Sequence, residues 1–198
     1  MVKEVSMPQL ATYELKPYFY LDNPAQGVVF SAPVGGATTP NSSNPRSELR
    51  QMVNGENAAW SNKSQTWTMQ ATMAFYQIPT SSDPTRGVVG LQIHDGNDDV
   101  TVLRLEKNGD LYITRGDDTH TFPVTGSYVM RTFMNVKVVA RKGGGIRWFI
   151  NNMTTPVATI PGVISGAYFK AGCYTQCTPS QGSGQGVTVF RSLKVSKT

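Results

Sequence analysis

The chain has 198 residues, 39% hydrophobic and 16% charged, which is enough apolar content for one folded core and too much for a disordered chain. Nineteen glycines and twelve prolines point to many turns between short strands, and the net charge of +5 suits an anionic partner. No apolar run is long enough to span a bilayer, and no Lys/Arg run or basic helix favours nucleic acid, so neither membrane nor nucleic acid is an expected partner.

Taken in chain order, short helical turns fit near Met7–Leu10, and Ala32 to Asn44 reads as a small, polar, Pro/Gly-rich loop. It runs into Arg46-Ser47-Glu48-Leu49-Arg50, a charged segment that alternates if extended. The clearest strand is Thr66 to Phe75. There Trp67, Met69, Ala71, Met73 and Phe75 alternate with small or polar residues, giving one apolar face and one wet face. Further strands are expected at Val88–His94, Val100–Glu106, Leu111–Arg115, Asn135–Arg141, Ile146–Asn151, Ala167–Gln176 and Val187–Val195. Asn108-Gly109, Gly143-Gly144-Gly145 and Asn151-Asn152 mark turns between them, and Thr178–Gly186 reads as a flexible loop. No amphipathic helix of three turns, repeat or linker interrupts the pattern. Residues 1–198 therefore read as a single all-β domain, a β-sandwich of the jelly-roll kind.

The two cysteines, Cys173 and Cys177, would lie about 13 Å apart in a continuous strand, too far to bridge. A disulfide would need the chain to bend after Tyr174; two free or partly buried thiols are the equal alternative. No His or second Cys pair near them suggests a metal site. Asp98 and Asp99 point in opposite directions if extended and read as turn and surface residues. His120, in a turn-like Asp117-Asp118-Thr119-His120, reads as ordinary surface.

Three segments carry candidate chemistry. In the first, Arg46, Glu48 and Arg50 share one face, so Glu48 could orient two guanidinium groups toward an external carboxylate; a solvated ion-pair ladder would use the same residues. In the second, Gln92 and His94 share a face while Leu91 and Ile93 point inward, which makes His94 a candidate acid or base. In the third, Tyr168, Lys170, Tyr174 and Gln176 line one face around Gly172, with Phe169, Ala171 and Cys173 on the other. Tyrosines supply stacking rings and hydroxyls, Lys a charge, and Gln two-way hydrogen bonds; plain solvent exposure is the rival reading.

In type and order, Arg46–Arg50, Gln92–His94 and Tyr168–Gln176 resemble the three strand motifs of polysaccharide lyase family 7, the alginate lyases, without a mismatch. The closing Phe190-Arg191-Ser192-Leu193-Lys194-Val195 is similar to that family's last strand. The resemblance implies a jelly roll of two antiparallel sheets whose concave sheet carries all three motifs in a substrate groove. It also implies β-elimination at 1,4-linked uronic acids, leaving unsaturated uronate ends. Neutralising the substrate carboxylate comes first, because its charge opposes carbanion formation at C5. By resemblance Arg46 (or Arg50), Gln92 and His94 form that clamp. Tyr174 serves as acid and, for one sugar epimer, also as base, with His94 the base for the other. Glu48, Arg50, Tyr168, Lys170 and Gln176 fall to substrate binding. No metal or organic cofactor is implied.

The partner expected from this resemblance is an acidic polysaccharide, alginate, cut endolytically by a secreted monomer. The opening Met1–Ser6 lacks the apolar core of a signal peptide, so the chain is expected to start at its mature end with an added Met. Ile93 within Gln-x-His tends, in the family, to accompany activity on guluronate-containing chains. Two alternatives use the same residues: a glucuronan lyase with this mechanism, and a non-catalytic module that binds acidic polysaccharide.

Overall fold

A computed structural model of the chain describes residues 4–7, 9–40, 42–124 and 126–198. Pro8, in the expected N-terminal turn, and Asn41, in the expected loop, lie outside them. Among the described residues the one helical element is a short 3-10 turn, Gln9–Ala11. The strands of the first half are β1 (Phe19–Asp22), β2 (Gly27–Pro33), β3 (Arg46–Arg50), β4 (Met52–Val53), β5 (Glu56–Asn57), β6 (Trp67–Gln77), β7 (Thr80–Ser81), β8 (Gly87–His94) and β9 (Asp99–Glu106). Those of the second half are β10 (Leu111–Arg115), β11 (Asp118–Pro123), β12 (Met134–Ala140), β13 (Ile146–Ile150), β14 (Ala158–Ile160), β15 (Tyr168–Thr175), β16 (Gly182–Ser183) and β17 (Gln185–Lys197).

Two antiparallel sheets face each other. One has seven strands in the order β1-β2-β17-β6-β12-β13-β14, the other six in the order β11-β10-β9-β8-β15-β3. The alternation read at Thr66–Phe75 sets the first sheet's inner face: Trp67, Met69, Ala71, Met73 and Phe75 are all buried. Opposite them, Leu91, Ile93, Leu103, Leu105, Ile113 and Phe169 come from the six-stranded sheet into the same core. Burying one such side chain stabilises the fold by roughly 1.5–3 kcal/mol. Trp148 and Thr101 carry polar atoms into this core and pair them. Trp148 Nε1 on β13 donates across the sandwich to Thr101 Oγ1 at 3.0 Å, and Thr101 donates to the Thr114 carbonyl at 2.7 Å, as a buried indole and hydroxyl require.

The turn glycines behave as read. Gly109 turns between β9 and β10 with φ 90°, and Gly143, Gly144 and Gly145 follow β12 with φ between 80° and 114°, a region that favours residues without a Cβ. The cysteines are both free and buried. Burial pushes the Cys173 thiol up to about 12 and raises Cys177 as well, so neither is a ready thiolate. The expected loop at Thr178–Gly186 is partly sheet: Gly182–Ser183 pairs with Thr80–Ser81, and β17 already begins at Gln185.

Candidate active site

The three charged or aromatic motifs become neighbours because β3, β15 and β8 are consecutive in the six-stranded sheet. Antiparallel register sets them in rows. Arg50, Lys170 and Gln92 are partners across the three strands, Tyr168 stands opposite His94, and Tyr174 opposite Arg46. Leu49, Ala171 and Ile93 point into the core, which leaves the polar set on the open face. Gln51 ties the end of β3 down: its Oε1 accepts Trp60 Nε1 at 2.7 Å and the Phe169 amide at 3.1 Å.

Gly172 shapes the middle of this face. Its φ is 150°, and a Cβ there would stand 2.3 Å from the Ser47 carbonyl oxygen and 2.7 Å from Glu48 Cα, far inside contact distance. The register against β8 slips between Ala171 and Tyr174 while that against β3 stays continuous. A carbonyl displaced from the ladder needs another donor. Gly172 finds one in Thr188 Oγ1, from the opposite sheet, at 2.9 Å. The irregularity is therefore fixed from both sides, and with it the placement of Tyr174.

Electrostatically the face is organised around one carboxylate. The Glu48 side chain is 4% exposed and accepts Lys170 Nζ at 2.6 Å; Arg46 lies 3.6 Å from the same oxygen. Its second oxygen accepts the Gln92 amide. Three cations, Arg46, Arg50 and Lys170, stand here against that one carboxylate, so the β3–β15 pair keeps a surplus of positive charge. Glu48 orients Arg46 and Lys170, as the sequence suggests for Arg46, but not Arg50. Instead Arg50 lies 3.7 Å from the Tyr168 ring centroid, and Arg46 lies 3.9 Å from that of Tyr174. Such cation–π pairs hold each guanidinium over a ring.

His94 is fixed from one side. Its Nδ1 is 2.8 Å from the Asp95 carbonyl oxygen and 3.1 Å from Tyr168 Oη, with the two rings stacked 5.2 Å apart. A carbonyl only accepts, so Nδ1 carries a proton, and in the neutral ring Nε2 is then the nitrogen with the lone pair. That is the tautomer of a base. Burial raises the Tyr168 phenol, with Arg50 pulling it partly back, so Tyr168 stays a neutral hydroxyl.

Of the sequence-predicted set, Arg46, Glu48, Arg50, Gln92, His94, Tyr168, Lys170 and Tyr174 come together. Gln176 does not join them. It lies just beyond β15, where its Oε1 faces Arg104 Nη1 at 3.5 Å. Two readings are corrected. His120 is not ordinary surface: it sits on β11, and its Nε2 meets the buried Glu106 carboxylate at 3.0 Å, which Arg104 also pairs at 3.1 Å. It stays half-exposed because only its ring edge is needed there. Nor is Asp99 a surface residue. It opens β9 opposite His94, and burial, then Asp98 and Asp117, raise its carboxyl to about 6. Arg104, Glu106 and Asp99 carried no motif, and only the alternation of Val100–Glu106 could have placed Arg104 and Glu106 on the open face. Among the described residues no group of three or more His, Cys, Asp or Glu is placed to hold a metal ion.

Residues 1–197 match the alginate lyase family. The alginate lyase of Corynebacterium sp. is 42% identical, with a TM-score of 0.90 over 99% of this chain and 88% of that one. The alginate lyase AlgAT5 of polysaccharide lyase family 7 is 36% identical, with a TM-score of 0.90 over 99% of this chain and 89% of its own. The marine enzyme AlyA1 of Zobellia galactanivorans is 29% identical, with a TM-score of 0.78 over 94% and 83%. No curated protein sequence matches.

Proposed function

This chain belongs to the alginate lyase family and is a polysaccharide lyase with the family's jelly-roll fold, and from that premise we propose how its open sheet face performs the reaction. The observation that carries the proposal is the placement of Tyr174 and His94 on one face. Tyr174 has a guanidinium over its ring, and His94 has its Nδ1 proton spent on a carbonyl.

A uronate entering this face brings a carboxylate to the surplus charge of Arg46, Arg50 and Lys170. Drawing electron density into that carboxylate acidifies the C5 proton, because the carbanion formed on its loss delocalises into the same group. Gln92, almost wholly buried and tied to Glu48, offers its second amide hydrogen as a fixed donor. The C5 proton then goes to a base, the C4–O4 bond breaks, a C4–C5 double bond forms, and O4 takes a proton from Tyr174. The two epimers present the C5 proton on opposite sides. On one side Tyr174 enters as the phenolate, removes the C5 proton and passes it to O4; on the other His94 Nε2 removes it and Tyr174, entering as the phenol, acts only as acid. Lys170 and Arg50 hold flanking sugars, Tyr168 braces Arg50 and His94, and Gln176 sits one step further along the face. No metal or organic cofactor enters these steps.

The reading extends to an endolytic, secreted monomer with activity on guluronate-containing chains, supported by the Gln92-Ile93-His94 sequence and by a face open to a polymer. No helix among the described residues is long and apolar enough to cross a membrane.

The test is His94→Asn assayed by ultraviolet absorbance on poly-mannuronate and on poly-guluronate. The kcat is expected to fall roughly 100-fold or more on one block type, as for loss of a general base, and less than about 10-fold on the other. Equal losses on both would remove His94 as the epimer-specific base.

A further inference from the structure

The segment between β2 and β3 places one hydroxyl against Tyr174 that no motif predicts. Ser42 Oγ lies 3.0 Å from Tyr174 Oη, although the two residues are 132 positions apart. The same Ser42 oxygen accepts the Asn44 backbone N–H at 3.2 Å and faces the Asn44 carbonyl at 3.5 Å. A hydroxyl that accepts from a backbone amide is held in place, while its own proton stays free to rotate. That proton has two acceptors within reach, the Asn44 carbonyl and the Tyr174 oxygen.

We propose that Ser42 is a positioning residue for Tyr174, a hydroxyl that turns its proton as the tyrosine changes charge. This rests on the reading of Tyr174 as the acid. While Tyr174 is protonated, its O–H donates to Ser42, and the Ser42 proton turns to the Asn44 carbonyl. Once Tyr174 has given its proton to O4, the Ser42 proton turns back and donates to the phenolate. Ser42 gains and loses no proton over the cycle; only its O–H direction changes. Arg46, 3.9 Å from the ring centroid, supplies charge across the π face, and Ser42 supplies a hydrogen bond to the oxygen itself. A hydrogen bond to an ionised partner is stronger than one to a neutral partner, so on the epimer whose C5 proton goes to His94, where Tyr174 starts as the phenol, Ser42 favours the charged state that follows proton transfer over the resting state and acts on kcat.

The experiment compares Ser42→Ala, Ser42→Thr and Tyr174→Phe in the full chain, with kcat and KM measured on poly-mannuronate and poly-guluronate. On the block type whose C5 proton goes to His94, Ser42→Ala is expected to lower kcat on the order of 10-fold, the scale of one charge-assisted hydrogen bond, with KM within about twofold. Ser42→Thr keeps the hydroxyl and is expected to restore kcat to within about threefold. An unchanged kcat in the alanine variant, a loss carried by KM, or a threonine variant no better than alanine would overturn the inference. If Tyr174→Phe itself retains turnover, the role of Tyr174 fails and that of Ser42 with it. If Tyr174→Phe is inactive while Ser42→Ala matches wild type, only the role of Ser42 fails.

Discussion

The open face of the six-stranded sheet holds two buried carboxylates, each surrounded by cations and amides, and they behave differently. On the β3–β15–β8 side, Glu48 pairs with Lys170 and Arg46 and accepts from Gln92. On the β9–β10–β11 side, Glu106 pairs with Arg104 and His120. Around Glu48 the cations outnumber the acid, two of them lie on tyrosine rings, and hydroxyl groups border the cluster. Around Glu106 the network closes on itself: Arg104 is spent on Glu106, the Thr85 carbonyl and Gln176, and Tyr112 packs edge-on against His120. The first cluster has charge left for a ligand, and the second has none. A buried ion pair is thus no mark of a site by itself; what separates the two is whether the donors remain uncommitted.

Substitutions at the two carboxylates sharpen that contrast. Glu48→Gln leaves Lys170 and Arg46 without their counter-charge and loosens Gln92, so kcat/KM is expected to fall roughly 100-fold through misplacement of the clamp, read by initial rates on either alginate block. Glu106→Gln removes the counter-charge of the 7%-exposed Arg104. It is expected to cost about 2–4 kcal/mol of stability in denaturant unfolding, the scale of a broken buried pair, while kcat/KM of the folded enzyme stays within about threefold. A large rate loss in Glu106→Gln would erase the distinction.

The smallest effect concerns Asp99, beside His94. Its carboxyl is raised to about 6, chiefly by burial, so the folded state disfavours the charged form. The stability this group contributes is complete below the ordinary carboxylate range and is lost as pH rises through about 6. Asp99→Asn is therefore expected to stabilise the fold by about 1–2 kcal/mol at pH 8, discounted for partial exposure, and by nothing measurable at pH 4. Unfolding midpoints at the two pH values check this; an equal gain at both would mean that ionisation of Asp99 is not the cause.

Much of this was legible in the sequence, for physical reasons. The strand read at Thr66–Phe75 runs Trp67–Gln77, and Arg46–Arg50 and Leu111–Arg115 have the bounds expected, because one face of each is apolar or charged in strict alternation. Gly27–Pro33 escaped notice because it is buried along most of its length and shows no alternation. Asp117–His120 read as turn-like because it is a run of polar residues, whereas Asp118–Pro123 is held as a strand by its pairing with Leu111–Arg115. The motif residues, Gln176 just beyond β15 excepted, were legible because each motif lies within one strand. Ser42 was not, since its partner Tyr174 comes from a strand 132 positions away; Arg104 and Glu106, two residues apart on one strand, were not because no motif surrounds them and their burial under His120 and Gln176 comes only with the fold. The face of Tyr174 was read correctly, but the fixing of Gly172 by Thr188 came only from the second sheet.

The central claim is that Tyr174 does chemistry on this face and does not merely bind sugar. The most direct test is Tyr174→Phe, measured both for turnover by ultraviolet absorbance and for binding of an alginate oligosaccharide by calorimetry. Loss of the general acid predicts a kcat reduced roughly 1000-fold or more, with the dissociation constant within about threefold of wild type. Turnover that persists within about 10-fold of wild type, or a loss explained wholly by weakened binding, would contradict it.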